Sequence, residues 1–236
     1  MTINVHSYES MGTFDGPGLR LVVFLQGCNF RCLYCANPDT IAGKGGTPTP
    51  PEEIVRMAMS QRPFFGKRGG VTFSGGEPTF QAKALVPLVR ELKEKGIHVC
   101  IDSNGGIWNE EVEELFKLTD LVLLDIKHIN DEEHRKLTLH SNKNILDCAR
   151  YLSEIHKPVW IRHVLIPGIT DKDEYLEELR DFLSTLSNIQ RIDVLPYHTM
   201  GIYKYEKLGI PYPLDGIEPP GRERVAHAES ILQKAL

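Results

Sequence analysis

Six apolar segments alternate with helical patterns along almost the whole chain, and this alternation is the strongest constraint on the fold. Each segment is rich in β-branched residues and nearly continuous in apolar character, as is typical of strands covered on both faces. The predicted strands are 19–25, 69–75, 97–103, 120–127, 159–166 and 191–197. Short links with intervening helices indicate parallel neighbours joined by right-handed crossovers. The pattern therefore predicts an α/β fold of six units, either an open doubly wound sheet or an incomplete barrel.

The helical patterns carry start and stop signals at their ends. Thr49 is placed as an N-cap before two prolines, and Gly96 is placed just beyond the end of a helix. The predicted helices are 49–61, 84–96, 109–119, 143–156, 173–186 and 222–236. The least regular stretches are rich in Gly, Pro and polar residues, and we expect site loops there. These stretches are residues 1–18, 36–49 and 199–221.

Composition excludes several classes of function for this 236-residue chain. The net charge is −5, from 27 basic and 32 acidic residues, so no basic field is available to grip nucleic acid. No apolar run approaches the roughly 18 residues of a membrane span, and the N-terminus has no signal-peptide pattern. We therefore expect a cytoplasmic protein with reduced thiols. Without a linker-like segment or a coiled-coil heptad, we expect a single domain, 1–236, and a monomer.

Three of the five cysteines fall within eight positions, in the stretch "CNFRCLYC". Cys28, Cys32 and Cys35 have a spacing that lets three thiolates converge on one metal centre. A structural zinc site normally closes with four protein ligands, and His98 or Cys100 would reach this stretch only by folding back. An iron–sulfur cluster held by three cysteines would leave one iron open to a small molecule. A purely redox role for the CxxC at 32–35 is a third reading, although such motifs do not need the third cysteine.

Polar residues also follow the predicted strands, in "SGGEP", "DSNGG", "DIKH" and "LPYH". In parallel α/β folds, sites gather at the carboxyl ends of the strands. Gly75 and Gly76 would let a ligand approach the backbone, with the Glu77 carboxylate beside them. The two remaining cysteines, Cys100 and Cys148, lie within predicted regular structure and are interpreted as small buried hydrophobes.

The stretch "CNFRCLYC" followed by "SGGEP" resembles the radical S-adenosylmethionine superfamily. The resemblance implies a 4Fe–4S cluster held by three cysteines. It also implies that the methionine amine and carboxylate of S-adenosylmethionine chelate the open iron. One electron then cleaves the sulfonium and yields a 5′-deoxyadenosyl radical.

Further stretches resemble the glycyl radical enzyme activases of this superfamily over essentially the whole chain. They are "GTFDGPGLR", "CANPDT", "VTFSGGEP", "LLDIKHIN", "VWIRHVLIPG" and "VLPYHTMGIYKYEKLGI". The chain lacks the ferredoxin-like insert of several such activases, which favours pyruvate formate-lyase as the protein whose glycine Cα loses a hydrogen atom. The resemblance also implies a flavodoxin or ferredoxin as electron donor. A partial (β/α)6 barrel of parallel strands with outer helices is the expected fold, because an incompletely closed barrel admits a protein loop.

Two alternatives stay open. The first is radical chemistry on another glycyl radical enzyme or on a small molecule, and the second is a zinc-clipped interaction module without catalysis.

The resemblance implies roles for individual residues. The cluster ligands would be Cys28, Cys32 and Cys35. The cofactor contacts would be Tyr34, Cys35, Ala36, Gly76, Asp125, Ile126, Lys127, Arg162 and His198. Asp102 and Asp125 would bind a monovalent cation, and Thr13 and Asp15 would hold the glycine loop of the protein substrate. Ala36 stands where the family usually has His, so no side-chain role is carried over to it.

Plain structural roles compete with several of these assignments. Lys127 and Arg162 would then only neutralise buried carboxylates, and His198 would only cap a strand. Asp15, before Gly-Pro-Gly, would be an ordinary turn residue.

Overall fold

The computed structural model describes residues 1–236 as a mixed α/β fold. The strands are β1 (Ile3–Gly12), β2 (Arg20–Leu25), β3 (Thr47–Thr49), β4 (Gly70–Gly75), β5 (His98–Ser103), β6 (Leu121–Asp125), β7 (Val159–Leu165) and β8 (Ile189–Pro196). The helices are α1 (Pro51–Phe65), α2 (Ala82–Glu94), α3 (Glu110–Leu118), α4 (Asp131–Thr138), α5 (Lys143–Glu154), α6 (Asp173–Leu183), α7 (Ile202–Leu208) and α8 (Arg222–Leu232). Short 3-10 helices cover Pro38–Thr40, Pro78–Gln81 and Gln233–Ala235.

The strands belong to one sheet in the order β3-β1-β2-β4-β5-β6-β7-β8. The pairs β2–β4, β4–β5 and β7–β8 are parallel, which confirms the predicted α/β class. All six predicted strands are present, with ends that differ by up to two residues. The helix-rich links between them are the crossovers that parallel neighbours require.

Two strands that the sequence did not predict lie beyond β2. β1 pairs antiparallel with both β2 and β3, inside stretches that were expected to be irregular. Ile3 and Val5 of β1 are buried, but residues 6–11 are half-buried or exposed. Because its apolar residues are few, β1 lacks the continuous apolar run that marks the other strands.

Three local predictions about helices need correction. Thr49 is wrong as an N-cap, because it ends β3 and its hydroxyl donates to Thr47 O, while Pro50 precedes the helix. Helices α4 and α7 were not predicted, since α4 is short and largely polar and α7 has only seven residues. Gly96 is confirmed, with φ of +70° and its N–H donating to Lys93 O just after α2.

The chain divides into two compact units. The first unit comprises Met1–Asn29 and Thr40–Leu123, and the second unit comprises Phe30–Asp39 and Leu124–Leu236. In the first unit the core is formed by apolar side chains of the parallel strands and of α1 to α3. In the second unit Tyr197 and Leu214 belong to a buried cluster against which Leu33 packs. The expectation of a single domain stays a prediction.

No helix of the structure is long and apolar enough to cross a membrane.

Candidate functional site

In the first unit, the carboxyl ends of β2, β4 and β5 carry a connected set of polar groups centred on Glu77. This carboxylate is 1% exposed. It accepts hydrogen bonds from Thr79 N at 3.0 Å, Thr79 Oγ1 at 2.7 Å, Ser103 Oγ at 2.8 Å and Asn104 N at 2.7 Å. Burial raises the pKa of Glu77, and these donors oppose that rise. Glu77 therefore ties the loop after β4 to the loop after β5.

The two glycines after β4 are required by the packing of the main chain itself. A Cβ on Gly76 would lie 2.2 Å from Gly27 O, and a Cβ on Gly75 would lie 2.5 Å from Leu25 N. The Gly76 N–H donates to Leu25 O at 2.8 Å, so a ligand would meet the Gly76 carbonyl and not its N–H. Close approach by a ligand is thus compatible with Gly76, but it is not the reason that glycine stands here.

Cys28 follows β2 and is partly exposed, like Cys32 and Cys35. Asn104 Nδ2 lies 3.8 Å from its Sγ. Cys100 lies four residues before Asn104 along an extended chain, about 13 Å at the usual rise per residue. His98 begins β5 and Cys100 lies in its middle, so neither completes a zinc site with Cys28.

In the second unit, main-chain hydrogen bonds dock the segment that holds Cys32 and Cys35. Leu33 N donates to Leu137 O at 3.0 Å, at the end of α4. On the other side, Tyr205 Oη of α7 donates to Cys35 O at 3.1 Å. The two helices that the sequence did not predict, α4 and α7, therefore hold the cysteine segment in place.

Ala36 is also held by α7 and the residue that precedes it. A Cβ on Gly201 would lie 2.8 Å from Ala36 Cα and 2.8 Å from Ala36 O. Lys204 Nζ donates to Asn37 Oδ1 at 2.7 Å and pairs with Asp39 at 3.1 Å. The main chain at Ala36 is therefore fixed by close packing, although its side chain offers no polar group.

In the second unit, Lys127 forms an ion pair with Asp125 beside the ring of Tyr34. Lys127 Nζ lies 3.0 Å from Asp125 Oδ2 and 5.6 Å from the centre of the Tyr34 ring. Burial, the largest single influence, would lower the pKa of Lys127, but Asp125 and, to a smaller extent, Tyr34 and Cys32 together outweigh it, and the pKa lies well above its usual value. Burial raises the pKa of Tyr34. Lys127 is therefore a cation and Tyr34 a neutral phenol at neutral pH.

The other predicted cofactor contacts lie on or after strands of the second unit. Ile126 N donates to Arg162 O at 3.0 Å, which joins the end of β6 to β7, and Ile126 itself is buried. Arg162 is half-buried and stands opposite Asp193 of β8. His198 is exposed and comes two residues after β8 ends. Buried His163, with Nδ1 2.8 Å from Ile126 O, holds this same strand end.

Thr13 and Asp15 lie in the link between β1 and β2, at the amino end of β2. Thr72 Oγ1 donates to Asp15 O at 2.6 Å, and the Asp15 side chain is half-exposed. Cys28 follows the carboxyl end of the same strand, so the six residues of β2 separate it from this link by about 20 Å of chain. Asp15 O itself lies beside the middle of β4, and the loop-binding role of Thr13 and Asp15 stays a prediction.

The predicted metal ligands are distributed between the units. Cys28 and Asp102 belong to the first unit, whereas Cys32, Cys35 and Asp125 belong to the second. Asp102 Oδ2 accepts a hydrogen bond from Ser74 Oγ at 2.7 Å. Within either unit, no three His, Cys, Asp or Glu side chains are gathered closely enough to hold one metal ion.

Sequence reasoning missed three polar residues that contact the cysteine segments. They are Asn104, Lys204 and Tyr205. The "SNGG" stretch after a strand was a usable signal for Asn104. Nothing in the spacing of the chain pointed to the α7 residues, because they meet the cysteine segment only through tertiary folding.

Comparison with known proteins defines the class first. The model of the radical SAM superfamily matches residues 22–183, which span β2 to α6, and the chain is a member of that superfamily. Within it, the chain belongs to the family of pyruvate formate-lyase-activating enzymes. It is 51% identical over 236 aligned residues to the pyruvate formate-lyase-activating enzyme of Streptococcus mutans, covering 97% of this chain and 90% of that protein.

Two further relatives support the same family. The pyruvate formate-lyase-activating enzyme of Listeria monocytogenes is 49% identical, over 97% of this chain and 95% of its own length. Among solved structures, a domain of a pyruvate formate-lyase-activating enzyme from Bacteroides vulgatus is similar with a TM-score of 0.60 and 27% identity. That match covers 71% of this chain and 94% of the solved chain.

Proposed function

We propose that this chain activates pyruvate formate-lyase by generating a glycyl radical on it. The cofactors are a 4Fe–4S cluster and S-adenosylmethionine. When bound, they supply a 5′-deoxyadenosyl radical that takes a hydrogen atom from a glycine Cα of the partner. The observation that carries the proposal is the 51% identity to a pyruvate formate-lyase-activating enzyme over 97% of the chain.

Cys28, Cys32 and Cys35 are the proposed cluster ligands. All three are thiols outside any disulfide and are partly exposed, so they are available to a metal. Burial raises the pKa of Cys35, and a bound metal would favour its thiolate strongly enough to reverse this. Three thiolates leave one iron of a four-iron cluster for S-adenosylmethionine.

The chain's own residues would bind and orient S-adenosylmethionine. The Gly76 carbonyl is proposed to accept a hydrogen bond from the methionine amine, and the Lys127 ammonium to pair with the methionine carboxylate. Tyr34 would lie along the adenine, a role that suits a neutral ring beside a cation. The proposed contacts further include Cys35, Ala36, Asp125, Ile126, Arg162 and His198.

Finer parts of the proposal rest on the family resemblance. Asp102 and Asp125 would bind a monovalent cation, and Thr13 and Asp15 would hold the glycine loop of pyruvate formate-lyase. The electron donor would be a flavodoxin or ferredoxin. The chain would act as a monomer and as a single domain.

The test is electron paramagnetic resonance after anaerobic mixing of reduced, cluster-loaded protein with S-adenosylmethionine and pyruvate formate-lyase. A glycyl radical signal and stoichiometric 5′-deoxyadenosine are expected. 5′-Deoxyadenosine without a radical on pyruvate formate-lyase would favour a different substrate. Protein that holds zinc, no iron, and forms no 5′-deoxyadenosine would reject the radical chemistry altogether.

A further inference from the structure

The side chain of Asn104 is aimed at the sulfur of Cys28. Asn104 follows β5 and is 5% exposed. Its amide nitrogen donates to Asn29 Oδ1 at 2.9 Å and lies 3.8 Å from Cys28 Sγ. An amide nitrogen carries two N–H groups, so one serves Asn29 and the other is directed to the sulfur.

The orientation of this amide follows from its other partner. Gly106 N donates to Asn104 Oδ1 at 2.8 Å. A flipped amide would turn its NH2 group towards the Gly106 N–H and its oxygen towards Asn29 Oδ1. Both contacts would be repulsive, so the nitrogen must face Cys28.

The main chain of Asn104 is held equally firmly. Its N–H donates to Glu77 Oε2 at 2.7 Å, and the other Glu77 oxygen accepts from Ser103 Oγ at 2.8 Å. Because Glu77 is buried and anchored to Thr79, it fixes the place from which the Asn104 side chain starts. Glu77 and Asn104 thus form one continuous chain of hydrogen bonds from the loop after β4 to the sulfur of Cys28.

A hydrogen-bond donor to a cluster sulfur stabilises the more negative, reduced cluster and raises its reduction potential. We propose that Asn104 sets the reduction potential of the cluster through its hydrogen bond to the Cys28 sulfur, and that Glu77 positions it. This inference rests on the proposed function, which assigns Cys28 to the cluster. The role is that of a positioning and tuning residue, since Asn104 itself reacts with nothing.

Two substitutions separate tuning from simple support of the loop. Asn104→Leu removes the donor without adding charge, and Asn104→Asp keeps the acceptor for Gly106 N–H but adds a negative charge beside the sulfur. The matched control is Asn109→Asp, the same change in the same unit, where Asn109 Oδ1 caps α3 by accepting from Val112 N. Asp caps a helix as well as Asn does, so the control keeps its fold.

The measurement is the midpoint potential of the reconstituted holoprotein, from a redox titration followed by electron paramagnetic resonance, alongside iron and sulfide content. We expect Asn104→Leu to make cluster reduction about tenfold less favourable, a negative shift of about 59 mV for one electron. Asn104→Asp should shift further in the same direction, and Asn109→Asp should match the parent protein.

Each outcome decides a different point. Unchanged potentials in both Asn104 variants, with iron content like that of the parent, would reject the tuning role while leaving the proposed function intact. Loss of iron from both variants but not from Asn109→Asp would reject tuning in favour of a purely structural role. A parent protein that binds no cluster would instead refute the proposed function. If only Asn104→Leu loses iron, the midpoint potential of Asn104→Asp tests the tuning role. A negative shift supports that role, and an unchanged potential rejects it.

Discussion

In the first unit, β2, β4 and β5 carry a buried network of hydrogen bonds at each of their two ends. The two networks differ in whether they include a partly exposed thiol. At the amino end, Arg20 is fully buried, and its guanidinium donates to Thr72 Oγ1 at 2.9 Å and to Pro17 O at 3.3 Å. It also lies 3.2 Å from His98 Nδ1. Every direction around this cation is occupied by protein groups.

At the carboxyl end, the network centred on Glu77 is equally well bonded but extends to a partly exposed side chain. The Asn104 amide donates to Cys28 Sγ, and Cys28 is partly exposed. A network that includes a partly exposed thiol lies where a ligand can reach it, whereas one whose thiol is wholly buried only stabilises the fold. Cys100 shows the contrast, since it is fully buried next to Arg20 and burial raises its pKa to about 11.

Glycine does not distinguish the two ends. A Cβ on Gly70, at the amino end of β4, would lie 1.9 Å from His98 O, and one on Gly76 would lie 2.2 Å from Gly27 O. Both positions need glycine for main-chain packing. Glycine at a strand end is therefore weak evidence for a ligand, and the reachable thiol is the better marker.

The largest effect is expected from matched cysteine changes at the two ends. Cys28→Ala should abolish iron binding, because it removes a proposed cluster ligand, and Cys100→Ala should leave iron content unchanged. Iron and sulfide analysis after anaerobic reconstitution checks both. Loss of iron in Cys100→Ala would contradict the assignment of the amino end to stability.

Next come the two buried charges. Arg20→Met and Glu77→Ala should each lower the free energy of unfolding by about 2–4 kcal/mol, because each leaves several buried hydrogen-bonding groups unpaired. Urea denaturation of the cluster-free protein measures this. Only Glu77→Ala should also weaken S-adenosylmethionine binding by the reconstituted protein. An equal loss of S-adenosylmethionine binding in Arg20→Met would contradict the assignment of the amino end to stability alone.

The third prediction concerns alkaline pH. The pKa of Cys100 is raised in the folded protein, from 9.0 to about 11, so folding favours its protonated form. The resulting stability is complete below the unfolded pKa and is lost as the pH rises through about 11, by about 2–3 kcal/mol. Urea denaturation between pH 8 and pH 11 should therefore show a smaller alkaline loss in Cys100→Ala than in the parent. Parallel curves would show that Cys100 does not titrate as described.

The smallest effects are expected from two hydroxyls. Thr72→Val removes a donor to Asp15 O and an acceptor for the Arg20 guanidinium, and Ser103→Ala removes a donor to Glu77, so each should cost about 1–2 kcal/mol of unfolding free energy. The cluster potential of the reconstituted protein should move only in Ser103→Ala, because Ser103 shares Glu77 with Asn104. A shift in Thr72→Val instead would mean that the two ends are coupled.

Much of the fold could be predicted because its parallel strands are continuous apolar runs between amphipathic helices. β1 could not, since only Ile3 and Val5 bury well and its remaining side chains are polar or half-exposed. Thr49 failed as a cap because pairing of β3 with β1 took its backbone into the sheet. The short helices α4 and α7 are stabilised by the residues on which they pack, and the local sequence does not reveal those contacts.

For the site, the order of motifs pointed to the carboxyl strand ends, and Cys28, Glu77 and Asn104 do meet at that end of the first unit. The link with Thr13 and Asp15 joins an antiparallel strand and so enters β2 at its amino end. Its location depends on β1, which the sequence did not predict.

The sequence by itself determined the α/β class, the positions of six strands and the cysteine motif, because periodicity and spacing are local properties of the chain. Only the tertiary structure decided that Glu77 is a buried anchor, that Asn104 faces the Cys28 sulfur, and that α7 holds the Cys35 segment. These depend on hydrogen bonds between residues far apart in sequence. Such partners are chosen by packing, since a buried polar group takes whichever donor or acceptor the fold brings within reach.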